Sequence, residues 1–248
     1  MAEISTLLEL LAVGRDDAVA VAAPNRAPLT YRGLRAHIEQ TMTTLNRFGI
    51  GRNDRVAIVL PNGPKMATAF VSIAAGATTA PLNPVYRGEE FDFYLSDLGA
   101  KALVVEQGST SPAIEVAEAR QIPVIQIVSD ENNPAGLFEM VSELSAPVSS
   151  GGPAETDDVA LVLHTSGTTS RPKIVPLTHQ NVCASARNIR TTLKLTSDDL
   201  CMNVMPLFHI HGLMAAVLSS LSVGASVFCT PGFNALQFFS LLEEANPT

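Results

Sequence analysis

Short apolar runs alternate with amphipathic segments along most of the chain. Apolar side chains recur every three to four residues over positions 34–48, and Gly49 follows, which predicts a helix with a glycine stop. Positions 55–60 form a nearly continuous apolar run of strand length. The alternation continues with predicted strands at 80–82, 102–105, 124–128, 159–163, 174–177, 200–205 and 226–229, and with predicted helices at 66–75, 89–98, 114–120, 137–144, 178–193, 213–221 and 234–242.

Apolar strands separated by helices are typical of an α/β fold with a parallel sheet that helices cover on both faces. Residues 134–155 interrupt this pattern because they are rich in Ser, Pro and Gly, and we interpret them as a loop or linker region around one short helix. The chain then divides into a first α/β subdomain over residues 1–150 and a second α/β block over residues 151–248.

Composition narrows the class of protein. A net charge of −8 over 248 residues argues against a nucleic-acid-binding surface. The cysteines Cys183, Cys201 and Cys229 are widely spaced and form no disulfide or zinc motif, so we expect reduced thiols and a cytoplasmic location, or a peroxisomal one if a C-terminal signal follows. Proline and glycine break the uncharged stretches 66–86 and 201–242, so we predict no membrane span. The sequence does not indicate an oligomeric state.

Two sets of polar residues are expected at the protein surface and are not predicted to be catalytic. His37 lies on the first predicted helix and is expected at its solvent face. Asp157 and Asp158 directly precede a predicted strand, and we interpret both as solvated carboxylates.

The segment from His164 to Lys173 is rich in side chains that can bind a ligand. Positions 165–170 hold five hydroxyl side chains and one glycine, and two cations follow. Hydroxyl and amide donors with nearby positive charge suit a phosphate group. We therefore predict phosphate binding by Thr165, Ser166, Gly167, Thr168, Thr169, Ser170, Arg171 and Lys173. A polar surface turn is the alternative. A Walker loop is disfavoured because its second glycine and the Ser or Thr after the lysine are missing.

This segment resembles the AMP-binding signature of the adenylate-forming superfamily, which includes acyl-CoA synthetases, luciferases and peptide-synthetase adenylation domains. The usual form is Tyr-Thr-Ser-Gly-Thr-Thr-Gly-x-Pro-Lys-Gly, from which this chain departs at His164, Ser170 and Ile174. The first two departures look like the branch that activates oxalate. Further segments that sit where the family has them are 61–64, 80–84 and 206–212.

The resemblance implies a luciferase-like fold of stacked, largely parallel sheets covered by helices. It implies an AMP-forming acid–CoA ligase that uses ATP, Mg²⁺, coenzyme A and a small carboxylic acid. The family's adenine motif, ribose-binding aspartate motif and C-terminal catalytic lysine are not found. We therefore expect the chain to be the incomplete N-terminal part of the AMP-binding domain, without the C-terminal lid domain and inactive by itself.

A histidine pair completes the candidate site. No Cys, Asp or Glu stands within a few residues of His209 and His211, so a metal held by protein side chains is not predicted. The resemblance implies that His209 acts beside Lys173 as a catalytic residue and orients the acyl carboxylate, and that His211 and Gly212 line the acyl pocket with it. A histidine at position 211 suits a short diacid such as oxalate or malonate.

Other functions stay open on the sequence alone. One is a packed, structural role for either histidine. A second is a non-catalytic nucleotide-binding fragment. A third is another adenylating enzyme, such as a medium-chain or aromatic acid–CoA ligase or a peptide-synthetase adenylation domain.

Overall fold

The computed structural model of the protein describes residues 4–165 and 172–248. Its helices are α1 (Leu7–Leu11), α2 (Tyr31–Arg47), α3 (Pro64–Ala74), α4 (Gly88–Leu98), α5 (Pro112–Ala119), α6 (His179–Leu193), a π-helix (Gly212–Leu218), α7 (Ser219–Leu221) and α8 (Phe238–Ala245). Its strands are β1 (Val19–Ala22), β2 (Leu29–Thr30), β3 (Arg55–Val59), β4 (Thr78–Pro81), β5 (Ala102–Glu106), β6 (Val124–Val128), β7 (Glu139–Val141), β8 (Val159–Thr165), β9 (Lys173–Thr178), β10 (Leu200–Asn203) and β11 (Ser226–Cys229). The predicted α/β fold class is confirmed.

The larger sheet has seven strands in the order β7-β6-β5-β3-β4-β8-β9. Its five inner strands run parallel, and the edge strands β7 and β9 pair antiparallel with their neighbours. Strands β3 and β5 are buried on both faces. Their sequences are therefore continuously apolar, because neither face needs polar side chains for solvent.

The smaller sheet has four strands in the order β10-β11-β1-β2. Strands β10, β11 and β1 run parallel, whereas β2 is antiparallel to β1. Strands from the two ends of the chain thus share this sheet, and β8 and β9 join the larger sheet beside β4. The division near residue 150 does not coincide with a division between the sheets, and as a description of folding units it stays a prediction.

Two hydrophobic clusters show how the layers stack. Helices α4 and α5 pack on one face of the seven-stranded sheet. Helices α2, α3 and α6 and the π-helix belong to a second cluster that includes side chains from both sheets. Every residue from Met66 to Ala74 in α3 is buried, and α3 contacts β4 of one sheet and β11 of the other. A helix buried on all sides explains the uncharged stretch in the sequence.

Local sequence signals set the ends of two of these helices. Thr30 precedes α2 and its side-chain oxygen accepts a hydrogen bond of 3.2 Å from the Gly33 amide. Thr178 likewise caps α6, and Gly49 follows α2 with a φ of +79°. The glycine stop was expected from the sequence, and threonine is among the residues favoured at both cap positions. None of the helices among the described residues is both long and apolar enough to cross a membrane.

The helix predicted over residues 137–144 is wrong, because this segment contains the edge strand β7. Phe138 and Met140 are buried, whereas Glu139 and Val141 between and after them are exposed. This alternation has the period of a strand, and β7 pairs antiparallel with β6. The helix predicted to start after Asn234 begins later, at Phe238. Residues 213–221 are helical as predicted, although their first turns form the π-helix.

Two predicted surface residues are buried instead. His37 is only 4% exposed and its ring contacts Phe138 edge-on, with a centroid distance of 4.4 Å. Asp158 is 6% exposed and accepts hydrogen bonds from Arg52 and Asn53. Phe138, Arg52 and Asn53 all lie far from His37 and Asp158 in sequence, which is why the local pattern misplaced both residues.

Candidate functional site

The carboxyl ends of the parallel strands lie at one edge of each sheet. In open α/β sheets this edge is where ligands bind. Residue Pro61 follows β3, Leu82 follows β4, and Thr165 ends β8. All three positions therefore lie at the same edge of the seven-stranded sheet, since β3, β4 and β8 are parallel neighbours. The segments 204–211 and 230–233 follow the parallel strands β10 and β11 of the smaller sheet.

An open cleft of about 640 Å³ is formed by segments from this edge of both sheets. Its walls come from the residues after β3, β4, β10 and β11, and they include Pro61, Asn62, Pro84, Pro206, Phe208 and Phe233. A volume of this size lies in the range of small-molecule sites, and rigid apolar walls with few polar groups are typical of them.

Asn62 joins the two sides of this cleft. Its side-chain nitrogen donates to the Thr230 carbonyl at 3.0 Å, and its side-chain oxygen accepts from the Leu207 amide at 2.9 Å. The next residue, Gly63, has a φ of +143°, a backbone conformation that residues other than glycine rarely adopt. The Pro-Asn-Gly-Pro turn thus fixes the position of the segment that carries the histidine pair.

Thr165 and Lys173, the first and last residues of the predicted phosphate-binding set, stand where β8 ends and β9 begins at the same edge. Thr165 is paired with Lys173 across β8 and β9, and both side chains are exposed. Ser166, Gly167, Thr168, Thr169, Ser170 and Arg171 lie outside the described residues. Of the predicted phosphate-binding set, the structure therefore describes Thr165 and Lys173, a hydroxyl and a cation that face each other where the strands meet the carboxyl edge. Their role toward a phosphate stays a prediction.

His164 is held from α4. Its Nε2 atom lies 3.1 Å from Oδ2 of Asp97, and the ring of Tyr94 meets it edge-on at 4.7 Å. Burial lowers the pKa of His164 below its ordinary value, and Asp97 opposes this shift. The ring is therefore neutral at neutral pH, and Nε2 donates to the carboxylate. Sequence reasoning missed Asp97, since 67 residues separate the partners and no motif joins them.

The histidine pair lies on an exposed segment at the start of the π-helix. His209 and His211 are both exposed, and Phe208, which stacks obliquely on the His209 ring at 4.7 Å, lines the cleft. Gly212 is buried, and a Cβ atom there would come within 2.7 Å of the Pro206 carbonyl oxygen. Glycine is thus required for this close turn, whatever its part in an acyl pocket. π-Helical turns are frequent at functional sites.

Among the residues that the structure describes, no metal-ligand cluster and no reactive thiol belongs to the site. Within residues 4–165 and 172–248, no three His, Cys, Asp or Glu side chains are grouped closely enough to hold a metal ion. The cysteines are free thiols, of which Cys183 and Cys229 are buried. Burial raises the pKa of both thiols to about 12, so neither is a nucleophile at neutral pH.

Comparison with known proteins gives one consistent result. Residues 8–248 match the family described as AMP-binding enzyme. The chain is 42% identical to an oxalate–CoA ligase of Arabidopsis thaliana over 71% of this chain and 35% of that protein. It is 36% identical to an oxalate–CoA ligase of Saccharomyces cerevisiae over 93% of this chain and 48% of that protein. The chain thus spans about half the length of these relatives or less.

A solved structure shares the fold. The ATP-bound MatB of Rhodopseudomonas palustris superimposes with a TM-score of 0.78 at 23% identity, over 97% of this chain and 48% of that one. This likeness covers both sheets and the helices between them.

Proposed function

We propose, from the premise that this chain belongs to the AMP-binding enzyme family, that it is the part of an AMP-forming acid–CoA ligase that binds the ATP phosphates and the acid. One observation carries the proposal. A cleft formed at the carboxyl edges of two sheets lies at the edge where the Thr165–Lys173 end of the hairpin also stands. A hydroxyl, a cation and an apolar cleft at one edge suit a phosphate and an organic acid together.

The proposed reaction has two steps. A carboxylate oxygen of the acid attacks the α-phosphorus of MgATP, the bond to the bridging oxygen breaks, and pyrophosphate leaves with the electron pair. The thiolate of coenzyme A then attacks the acyl carbon, and AMP leaves. Mg²⁺ enters as part of the MgATP substrate. Lys173 and Thr165, with residues 166–171, would hold the phosphates, and positioning together with charge stabilisation is the main work in such a transfer.

The acyl side of the site is assigned to the residues after β10. His209 would orient the acid's reacting carboxylate, with His211 and Gly212 beside it. We propose oxalate as the acid, because the two relatives described above are oxalate–CoA ligases and because an exposed histidine can meet a second carboxylate as a donor or a cation. The free cysteines agree with a reducing compartment, and we propose the cytoplasm.

A second candidate is a ligase for a larger apolar acid. The cleft walls include Phe208, Met205 and Phe233, which an oxalate ion would leave largely uncontacted. Aliphatic or aromatic side chains of a medium-chain or aromatic acid would bury this surface favourably. The two candidates therefore differ in which acid the enzyme prefers and agree on the reaction.

A panel of acids tests both candidates. The complete gene product is incubated with ATP, labelled pyrophosphate and oxalate, malonate, acetate, octanoate or 4-coumarate, and exchange of label into ATP is measured. We expect the highest kcat/KM with oxalate. A preference for octanoate or 4-coumarate would support the second candidate, and exchange with none of these acids would contradict the ligase assignment for them.

If oxalate is preferred, His211→Phe separates the diacid specificity from its cause. Only oxalate keeps a carboxylate near position 211, so we expect this change to lower kcat/KM for oxalate more than for acetate. Equal losses for the two acids would remove His211 as the source of the preference.

A further inference from the structure

The end of β8 extends beyond the strand beside it. Thr79 of β4 pairs with Leu161 of β8, so Pro81, the last residue of β4, stands opposite Leu163 in the same parallel register. His164 and Thr165 therefore project past the end of β4. Within the described part of the sheet, these two residues are paired only with Ile174 and Lys173 of β9, which is an edge strand.

A paired edge hairpin alone gives its tip little support. Edge strands lack a neighbour on one side, and the last pairs of a hairpin open most easily. The donors that the proposed function assigns to ATP phosphates begin at Thr165, directly after His164. A phosphate site needs donors held in place before the ligand arrives, because ordering them on binding weakens affinity.

The His164 side chain supplies a second attachment for this tip. The side chain is 7% exposed, and its Nε2 atom lies 3.1 Å from the Asp97 carboxylate in the last turns of α4. Tyr94, one turn earlier on α4, covers the ring edge-on. Helix α4 in turn is fixed to the sheet by Phe91, Leu95 and Leu98, which are all fully buried.

The same contact reaches the cleft. Tyr86 stacks on Tyr94 with a centroid distance of 4.9 Å and an interplanar angle of 13°. Tyr86 belongs to the segment after β4 that also contains Pro84, a residue of the cleft wall. One run of rings, from Tyr86 through Tyr94 to His164, therefore connects the wall of the cleft to the base of the phosphate loop.

We propose that His164 and Asp97 form a positioning clamp, in which the hydrogen bond between them and the Tyr94 ring fix the end of β8 and thereby Thr165 for binding of the ATP phosphates. This inference rests on the proposed function. Neither residue is proposed to touch ATP. Both act through the position of the hairpin tip, and this distinguishes them from Lys173, which is proposed to touch ATP directly.

The test measures ATP binding by the complete gene product. His164→Phe keeps a ring under Tyr94 and removes the donor, whereas His164→Gln keeps a donor near the position of Nε2. We expect His164→Phe to raise the Kd for ATP about tenfold, the scale of a lost hydrogen bond to a charged group, and His164→Gln to stay within about threefold of the wild type. Asp97→Asn, a milder change, should weaken binding in the same direction.

Two controls separate positioning from general stability. Asp92 lies on α4, as Asp97 does, and its Oδ1 atom is 2.7 Å from Nε of Arg120. Asp92→Asn removes this ion pair and should leave the Kd for ATP unchanged. The double variant with His164→Phe and Asp97→Asn should bind ATP no more weakly than His164→Phe alone, because both changes remove one interaction.

Three outcomes would overturn the clamp. They are a His164→Phe variant within twofold of the wild-type Kd, equal losses for the Phe and Gln variants, and additive losses in the double variant. A wild-type protein that binds ATP but exchanges no pyrophosphate with any acid of the panel would contradict the proposed ligase reaction for those acids and leave the Kd comparison valid.

Discussion

Lys173 is the residue on which the proposed chemistry most depends. It begins β9 opposite Thr165, its side chain is exposed, and it stands at the carboxyl edge where the cleft opens. An exposed cation adds little to folding stability but can contribute strongly to holding a phosphate. Lys173 is thus a residue whose loss should separate function from stability.

We expect Lys173→Ala to lower kcat/KM for ATP in pyrophosphate exchange by at least about tenfold, because a charge-assisted phosphate contact is lost. The melting temperature should stay within about 2 °C of the wild type, since exposed substitutions have small effects. Lys101→Ala is the matched control, because Lys101 precedes β5 at the opposite edge of the sheet. Equal exchange by the Lys173→Ala variant and the wild type would show that Lys173 does not hold the phosphates.

Asp158 is the opposite case, because its loss should affect stability. Its hydrogen-bond partners, Arg52 and Asn53, belong to the fold and not to the candidate site. Its side chain is 8% exposed, with Oδ2 at 2.6 Å from Nε of Arg52 and Oδ1 at 2.7 Å from the side-chain nitrogen of Asn53. Burial raises the pKa of Asp158, but hydrogen bonds from Arg52, the Glu155 amide and Asn53 outweigh it, and the pKa lies below its ordinary value. A carboxyl with a lowered folded-state pKa stabilises the fold above its unfolded-state pKa. This stabilisation is lost as the pH falls through the folded-state pKa.

We expect Asp158→Asn to lower the free energy of unfolding by about 2–3 kcal/mol at pH 7, because Arg52 loses the buried one of its two charged partners and keeps only the exposed Glu155. The neighbouring Asp157 is exposed, so Asp157→Asn should change it by less than about 0.5 kcal/mol. Urea denaturation of the two variants gives the comparison. Similar stabilities for both would contradict the structural role of the Arg52–Asp158 pair.

At the scale of single elements, the sequence predicted what local physics determines. The stop of α2 at Gly49 was predicted because a glycine after a helical run is a local signal that needs no distant partner, and Gly49 has a φ of +79°. The strand β7 was missed because a three-residue strand at a sheet edge has too few alternating positions to outweigh a helical reading. Strand β1 was also missed, although its apolar sequence, Val-Ala-Val-Ala, could have indicated a short strand.

The candidate site divides in the same way. Thr165 and Lys173 could be proposed from the sequence because a hydroxyl-rich segment after a buried strand is a local pattern, and their role toward a phosphate stays a prediction. Asp97 and the bridging role of Asn62 were not found, because each acts on a residue far away in sequence. Contacts of this kind depend on the topology, which periodicity alone does not provide.

The packing of α2 on β7 contains a titratable group that gives this contact a pH dependence. His37 on α2 is 4% exposed, and among the described side-chain atoms its Nε2 is buried without a hydrogen-bond partner. Burial lowers the pKa of His37 to about 4 from an ordinary 6.5. The folded state therefore keeps this ring neutral, and the unfolded state takes up the proton first as the pH falls.

We expect the free energy of unfolding to be highest above pH 6.5 and to fall by up to about 3 kcal/mol towards pH 4 through this group. His37→Leu should remove that part of the pH dependence, and His211→Leu, which changes an exposed histidine, should not. The pKa values of His164 and His179 are lowered as well. Subtracting the curve of unfolding free energy against pH for His37→Leu from that of the wild type gives the contribution of His37 alone. Parallel curves for His37→Leu and the wild type would place the pH dependence elsewhere.

For the whole molecule, the main consequence of the topology is that the two ends of the chain depend on each other. Val21 of β1 pairs with Val227 of β11, and Thr79 of β4 pairs with Leu161 of β8. The hydroxyl of Tyr31, at the start of α2, donates to the Ala225 carbonyl at 2.7 Å, just before β11. The larger hydrophobic cluster also takes its side chains from both sides of residue 150. Each sheet is incomplete without the other half.

A cut at residue 150 tests this dependence. Residues 1–150 alone would leave unpaired the strand edges of β1 and β4 that pair with β11 and β8, so we expect neither this piece nor residues 151–248 to melt cooperatively when produced separately. Co-expression of the two pieces supplies every strand of both sheets and should restore one cooperative transition by circular dichroism. A sharp transition for residues 1–150 alone would instead establish the first block as a folding unit, with β1 and β2 packed independently of the smaller sheet.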